Sequence, residues 1–235
     1  MNSFATIQYR RVGRIAYVTL NRPQVLNVFS VQMRDDLFEV LSAIRLDDEI
    51  CILVLNGAGD RAFCAGADLS EFLTAPSALA ARHIRAMRDL WGLMRAMPQP
   101  VICALHGYVL GSGVELAMFC DIRIAASDTI FGLPEVHLGI LPGAGGTQTV
   151  RRAIGLSQSL SMMLANRRIN AEEALRCRML NRVVGRDELA DTVEEMAASI
   201  AGHKQETVRA LKQLVMRGTD LSLLEGLRME HRRVC

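Results

Sequence analysis

Two stretches of this chain set carboxylates beside glycine-containing turns in a pattern that suggests acid–base chemistry. In Gly111-Ser112-Gly113-Val114-Glu115, a carboxylate follows a small-residue turn and runs straight into Leu116, Ala117, Met118, Phe119 and Cys120. An unpaired buried carboxylate is costly. Glu115 therefore has either a structural partner or a cavity in which a proton acceptor is useful. Phe131-Gly132-Leu133-Pro134-Glu135-Val136 places a second carboxylate in mostly apolar surroundings. Alone, Glu135 reads as a solvated loop residue; beside Glu115 it gives a pair able to divide acid and base roles around one water.

The Gly111-Ser112-Gly113 turn fits none of three familiar patterns. A dinucleotide fingerprint needs glycine where Leu116 stands, a P-loop needs a lysine that is absent, and a nucleophile elbow needs glycines in place of Leu110 and Val114. What remains is either a tight strand-to-helix connection or a helix start whose first N–H groups point at a ligand. Phe63-Cys64-Ala65-Gly66-Ala67-Asp68-Leu69 is a second small-residue loop, following the apolar run 50–55. Two such loops after parallel strands leave a sheet at one edge, where their N–H groups can converge on one oxygen as an oxyanion hole. Asp68 by itself reads as a helix N-cap, and Asn27 as a residue satisfying local backbone groups. His106 and His137 read as structural, and the Arg10-Arg11, Arg151-Arg152 and Arg232-Arg233 pairs as solvated faces, with a phosphate contact the alternative for one of them.

The elements that must hold these residues follow from periodicity. Ile15 to Leu20 is strand-like and is broken by Asn21-Arg22-Pro23. Ser30 is placed to cap a helix whose stripe is Met33, Leu37, Val40, Leu41 and Ile44. The unbroken apolar runs 50–55, 101–105 and 122–126 predict strands buried on both faces of a parallel sheet. One helical pattern covers 79–97. From Gly145 onward, helical patterns at 146–154, 157–166, 171–177, 187–201, 204–216 and 221–232 replace the strands. The expectation is an α/β chain of repeated ββα or βαβ units, with a core at 1–185 and a helical C-terminal region at 186–235.

Composition narrows the function classes. A 235-residue chain that is 50% hydrophobic and 22% charged can bury a full core. A net charge of +2 compels neither a nucleic-acid nor an acidic-membrane partner. The six cysteines form no C-x-x-C pair, and four of them, within or beside apolar runs, read as core residues in a reducing compartment. The five histidines show no ligand spacing, so no metal is expected. Neither a signal peptide nor a membrane-spanning run is visible.

In combination these motifs resemble a known family. Asn21-Arg22-Pro23 with Leu26-Asn27, Phe63 to Leu69, Gly107-Tyr108 with Gly111 to Ala117, Cys120-Asp121, Pro134-Glu135, and Leu138 to Gly143 with Gly145 to Gln148 occur in family order. They look like the crotonase superfamily, most closely its enoyl-CoA hydratases, over the chain from about residue 7 to its last residues. The resemblance implies a repeated-ββα core sheet with a helical C-terminal region, assembled as trimers or dimers of trimers. It implies an acyl-CoA thioester as substrate, with coenzyme A part of the substrate and no separate cofactor. Glu115 and Glu135 match the two catalytic glutamates, and Ala65 and Ser112 match the backbone donors of the oxyanion hole. Leu26, Ala65, Gly66, Ala67, Asp68, Leu69 and Ser112 match positions that hold the acyl-CoA. Serine at 112 departs from the usual glycine, and the chain stops before the final helical segment of the family. The implied reaction is hydration of a trans-2-enoyl-CoA to the 3-hydroxyacyl-CoA, as in fatty-acid β-oxidation. The implied place is the cytoplasm, or the mitochondrial matrix in a eukaryote. Alternatives on the same scaffold are an isomerase, a decarboxylase, a thioester hydrolase, or a non-catalytic RNA-binding protein.

Overall fold

The three unbroken apolar runs become adjacent parallel strands. The computed structural model describes residues 4–72, 74 and 77–234. Its strands are β1 (Ile7–Val12), β2 (Ile15–Leu20), β3 (Ile52–Gly57), β4 (Ala62–Cys64), β5 (Val101–Leu105), β6 (Tyr108–Leu110), β7 (Ile122–Ala126), β8 (Ile130–Gly132), β9 (Ile169–Asn170) and β10 (Arg182–Val184). The larger sheet has the order β1-β2-β3-β5-β7-β10, parallel throughout except for the β1–β2 hairpin. Alternate residues of its central strands serve two cores, as the period of two in a strand requires. Leu53, Leu55, Val101, Cys103 and Leu105 join the main core. Ile52, Val54, Ile102, Ala104 and Ile124 face a second apolar layer closed by Leu189, Val193 and Ala197. Both faces are covered, which is why these strands show no polar alternation.

The helices are α1 (Val31–Leu46), α2 (Ala78–Met87), α3 (Leu90–Arg95), α4 (Ser112–Met118), α5 (Gly146–Ile154), α6 (Leu156–Leu164), α7 (Ala171–Arg176), α8 (Leu189–Ala201), α9 (Gln205–Gly218) and α10 (Leu223–Val234). The Ser30 side chain caps α1 by accepting from the Met33 N–H at 3.1 Å, and the expected stripe of α1 is buried. The single helix expected at 79–97 is two. Asp89 starts α3 by accepting from the Gly92 N–H at 2.9 Å, a cap that competes with continuation of α2. Strands β1, β4, β6, β8, β9 and β10 lie outside the sequence expectation. In β1 only Ile7 is buried, while the other five have two or three residues, too few to show a period. Among the described residues no helix is long and apolar enough to cross a membrane.

The smaller sheet, β4-β6-β8-β9, carries the loops of interest. The loop beginning at Ala65 leaves β4, not the apolar run 50–55, and β4 pairs in parallel with β6. Both small-residue loops therefore leave the same edge of this sheet. Asn27 holds the approach to the first loop. It is fully buried with φ +54°, a left-handed conformation that asparagine tolerates. Its Oδ1 accepts from the Arg22 N–H at 2.8 Å, and its Nδ2 donates to the Ala58 and Ala62 carbonyls, each at 2.9 Å. Replacing Asn27 with Ala strands these buried backbone groups and is expected to cost about 3 kcal/mol. Urea unfolding measures this, and a loss below about 0.5 kcal/mol would show the network to be dispensable.

Candidate active site

Gly111 joins the pieces of the site. Its N–H donates to the Gly132 carbonyl at 2.9 Å, fixing β6 against β8. With φ +50° it adopts a backbone that side chains disfavour. A Cβ there would lie 2.8 Å from Glu135 Oε1 and 3.4 Å from the Gly66 Cα. The first loop, the turn into α4 and the second carboxylate thus meet at a position that only glycine can occupy. Past Gly111, the first-turn N–H groups of Ser112, Gly113 and Val114 have no acceptor within the helix. The Glu115 N–H donates back to the Gly111 carbonyl at 3.1 Å, so Glu115 is set one turn in.

The two carboxyl groups occupy unlike environments. Glu115 is 2% exposed, and its Oε1 accepts two backbone hydrogen bonds, from Ala144 at 2.8 Å and Gly146 at 3.0 Å. Burial raises its pKa, while the two N–H donors favour the charged form and pull it back. Glu135 lies in the 3-10 turn Pro134–Leu138 and is 9% exposed, not solvated as its isolated position suggested. Its Oε2 is buried without a hydrogen-bond partner among the described residues. Burial raises its pKa, and the charge of Glu115 raises it further against its own backbone N–H. Both carboxyls are shifted up by burial, and they differ in their partners: Glu115 is bonded by two backbone amides of a distant segment, whereas Glu135 Oε2 has none among the described residues.

The structure corrects one assigned donor. The Ala65 N–H is committed to the Leu26 carbonyl at 3.0 Å, so it has no freedom to hold a ligand oxygen. Two residues on, the geometry reverses. Phe29 brackets Ala67 in a parallel bridge, with the Phe29 N–H donating to the Gly66 carbonyl at 2.8 Å and the Asp68 N–H to the Phe29 carbonyl at 2.9 Å. That pattern turns the Ala67 N–H away from Phe29, and it has no partner among the described residues. Sequence reasoning missed Ala67 as a donor, because the cue is its pairing with a segment nearly 40 residues earlier. Asp68 serves structure. Its Oδ1 accepts from the Ser70 hydroxyl at 2.6 Å and its Oδ2 pairs with Arg22 at 2.9 Å, which hold its pKa down. Leu69 is exposed beside it.

His106 lies apart from the glutamates. Burial, with Arg186 nearby, pushes its pKa down to about 4, and Asp128 and Asp60 are its other charged neighbours. It is neutral near pH 7. His137 is exposed.

The sequence profile of the enoyl-CoA hydratase/isomerase family matches residues 10–234. The chain belongs to this crotonase family. Two similar crotonases are the short-chain-enoyl-CoA hydratase of Clostridium acetobutylicum, 37% identical over 93% of this chain and 84% of that protein, and the (E)-benzylidenesuccinyl-CoA hydratase of Thauera aromatica, 38% identical over 93% and 85%. The crystal structure of an enoyl-CoA hydratase from Bacillus anthracis superimposes with a TM-score of 0.90 at 35% identity, covering 97% of this chain and 88% of that one. The parallel sheet with its helical C-terminal region is therefore the crotonase fold.

Proposed function

We propose that this crotonase hydrates trans-2-enoyl-CoA thioesters to 3-hydroxyacyl-CoA. The observation that carries this reading is the contrast between the two glutamates. One carboxylate oxygen is held by two amides, and across Gly111 lies a buried carboxyl with an unpartnered oxygen. In the proposed reaction, Glu115 takes a proton from the water as its oxygen bonds to C3, and Glu135 gives its proton to C2. Charge that builds on the thioester oxygen meets the N–H groups of Ser112 and Ala67, the second replacing Ala65. One such donor is worth roughly 3 kcal/mol of barrier. The family resemblance assigns Leu26, Gly66, Asp68 and Leu69 to the coenzyme A portion, with Asp68 acting there through the loop it braces.

An isomerase needs one proton carrier, so a second glutamate, oriented by two amides, supports hydration over isomerisation. The test is turnover of crotonyl-CoA, a 3-enoyl-CoA and a malonyl-type thioester by the same preparation. Hydration is followed as loss of the conjugated-enone absorbance. Rapid turnover of crotonyl-CoA with slow conversion of the others is expected. Turnover confined to the 3-enoyl or malonyl thioester would replace this reading with isomerisation or decarboxylation.

A further inference from the structure

A row of three aromatic rings runs from the segment beside the first loop to the Gly145 turn. Phe29 and Trp91 have ring centroids 5.6 Å apart, and Trp91 and Phe119 likewise 5.6 Å. At one end, the Phe29 backbone brackets Ala67. At the other, the Phe119 ring presses on Gly145, where a Cβ would lie 3.0 Å from Phe119 Cζ and 3.1 Å from Cε2. Gly145 separates Ala144 from Gly146, whose N–H groups hold Glu115. Its carbonyl is already fixed, accepting from the Gln148 and Thr149 N–H groups at 2.9 Å and the Thr149 hydroxyl at 3.1 Å. Phe119 itself sits one turn after Glu115 on the same helix line.

We propose that Phe119, backed by Trp91, is a positioning residue that clamps Gly145 and thereby aims the Ala144 and Gly146 amides at Glu115. This rests on the proposed hydration for its rate consequences but not for its structural test. Neither ring contributes a polar atom to the reaction. Their effect is on where the general base points and how well its charge is held, and a misplacement near 1 Å can cost about 100-fold in rate.

The sign of the Glu115 titration separates clamping from other roles. Losing an amide donor disfavours the charged carboxylate and moves its titration to higher pH, whereas letting water in favours the charged form and moves it lower. The carboxyl that senses the Glu115 charge is Glu135. Elements packed against α4 also carry Cys64 on β4, Tyr108 on β6, and Arg151 and Arg152 on α5. None of these is altered in the variants.

The experiment compares the full chain with Phe119→Leu, Trp91→Leu, Trp91→Phe and Gly145→Ala. Carboxyl-13C glutamate NMR follows Glu115, with its signal assigned by its absence in Glu115→Gln, and crotonyl-CoA kinetics run alongside. Phe119→Leu and Gly145→Ala are expected to move the Glu115 titration to higher pH. They should also lower kcat about 10- to 100-fold with KM changed less than about threefold. Trp91→Leu should do the same more weakly, and Trp91→Phe, which keeps a ring against Phe119, should restore most of the loss. A Glu115 titration that stays in place or moves to lower pH in the folded variants overturns the clamp, even where kcat falls. If Phe119→Leu fails to give a native melting curve, the Trp91 pair decides by the same readouts. If the unaltered protein hydrates no thioester, the proposed function fails while the NMR titration still decides the clamp.

Discussion

Glu115→Gln is expected to lower kcat for crotonyl-CoA about 100- to 10,000-fold, the range for loss of a positioned general base, while leaving KM within about threefold. Glutamine matches glutamate in shape, and its carbonyl oxygen can still accept from the Ala144 and Gly146 N–H groups that Glu115 engages at 2.8 and 3.0 Å. What it lacks is the ability to take a proton from water. The variant should fold as well as the parent, and at neutral pH it should be no less stable, because a neutral amide escapes the burial that raises the Glu115 pKa. Thermal melting and steady-state kinetics together test this. Turnover near the parental level would mean that the water is activated elsewhere, and the assignment of Glu115 would have to be abandoned.

Different parts of this structure were legible in the sequence to different degrees. The strands β3, β5 and β7 announced themselves because both faces are covered, by the main core on one side and by Leu189, Val193 and Ala197 on the other. Helix α1 was legible because its cap and its stripe are both local. The strand β1 was not, since five of its six residues are exposed and its pairing is set by β2. The glutamate pair shows the same division. Nothing in a spacing of 20 residues tells that Glu115 and Glu135 belong together; the motif order supplied that expectation, and the space that a missing side chain at Gly111 leaves for Glu135 Oε1 supplied the reason. The oxyanion donor is the instructive failure. Ala65 and Ala67 are the same residue type on either side of one glycine, and choosing between them requires knowing that Leu26 occupies one N–H and Phe29 turns the other outward.

Glu135→Gln tests the acid half of the pair through pH as well as rate. In the unaltered protein, the active state has Glu115 charged and Glu135 protonated. As pH rises through the titration of Glu115, activity appears; as it rises through that of Glu135, activity is lost. Both carboxyls are shifted up by burial; two amides oppose the shift at Glu115, while at Glu135 its own backbone N–H opposes it and the charge of Glu115 adds to it. The kcat/KM profile of the unaltered protein should therefore be bell-shaped, with apparent pKa values belonging to the pair. Glutamine at 135 cannot deliver a proton, so kcat should fall about 100- to 10,000-fold. The residual rate should keep the acidic limb, because residue 135 is neutral there in both proteins. It should lose the alkaline limb, because no proton remains to be lost. An alkaline limb that survives in Glu135→Gln would assign the acid to another group, and the two carboxyls would no longer divide the reaction between them.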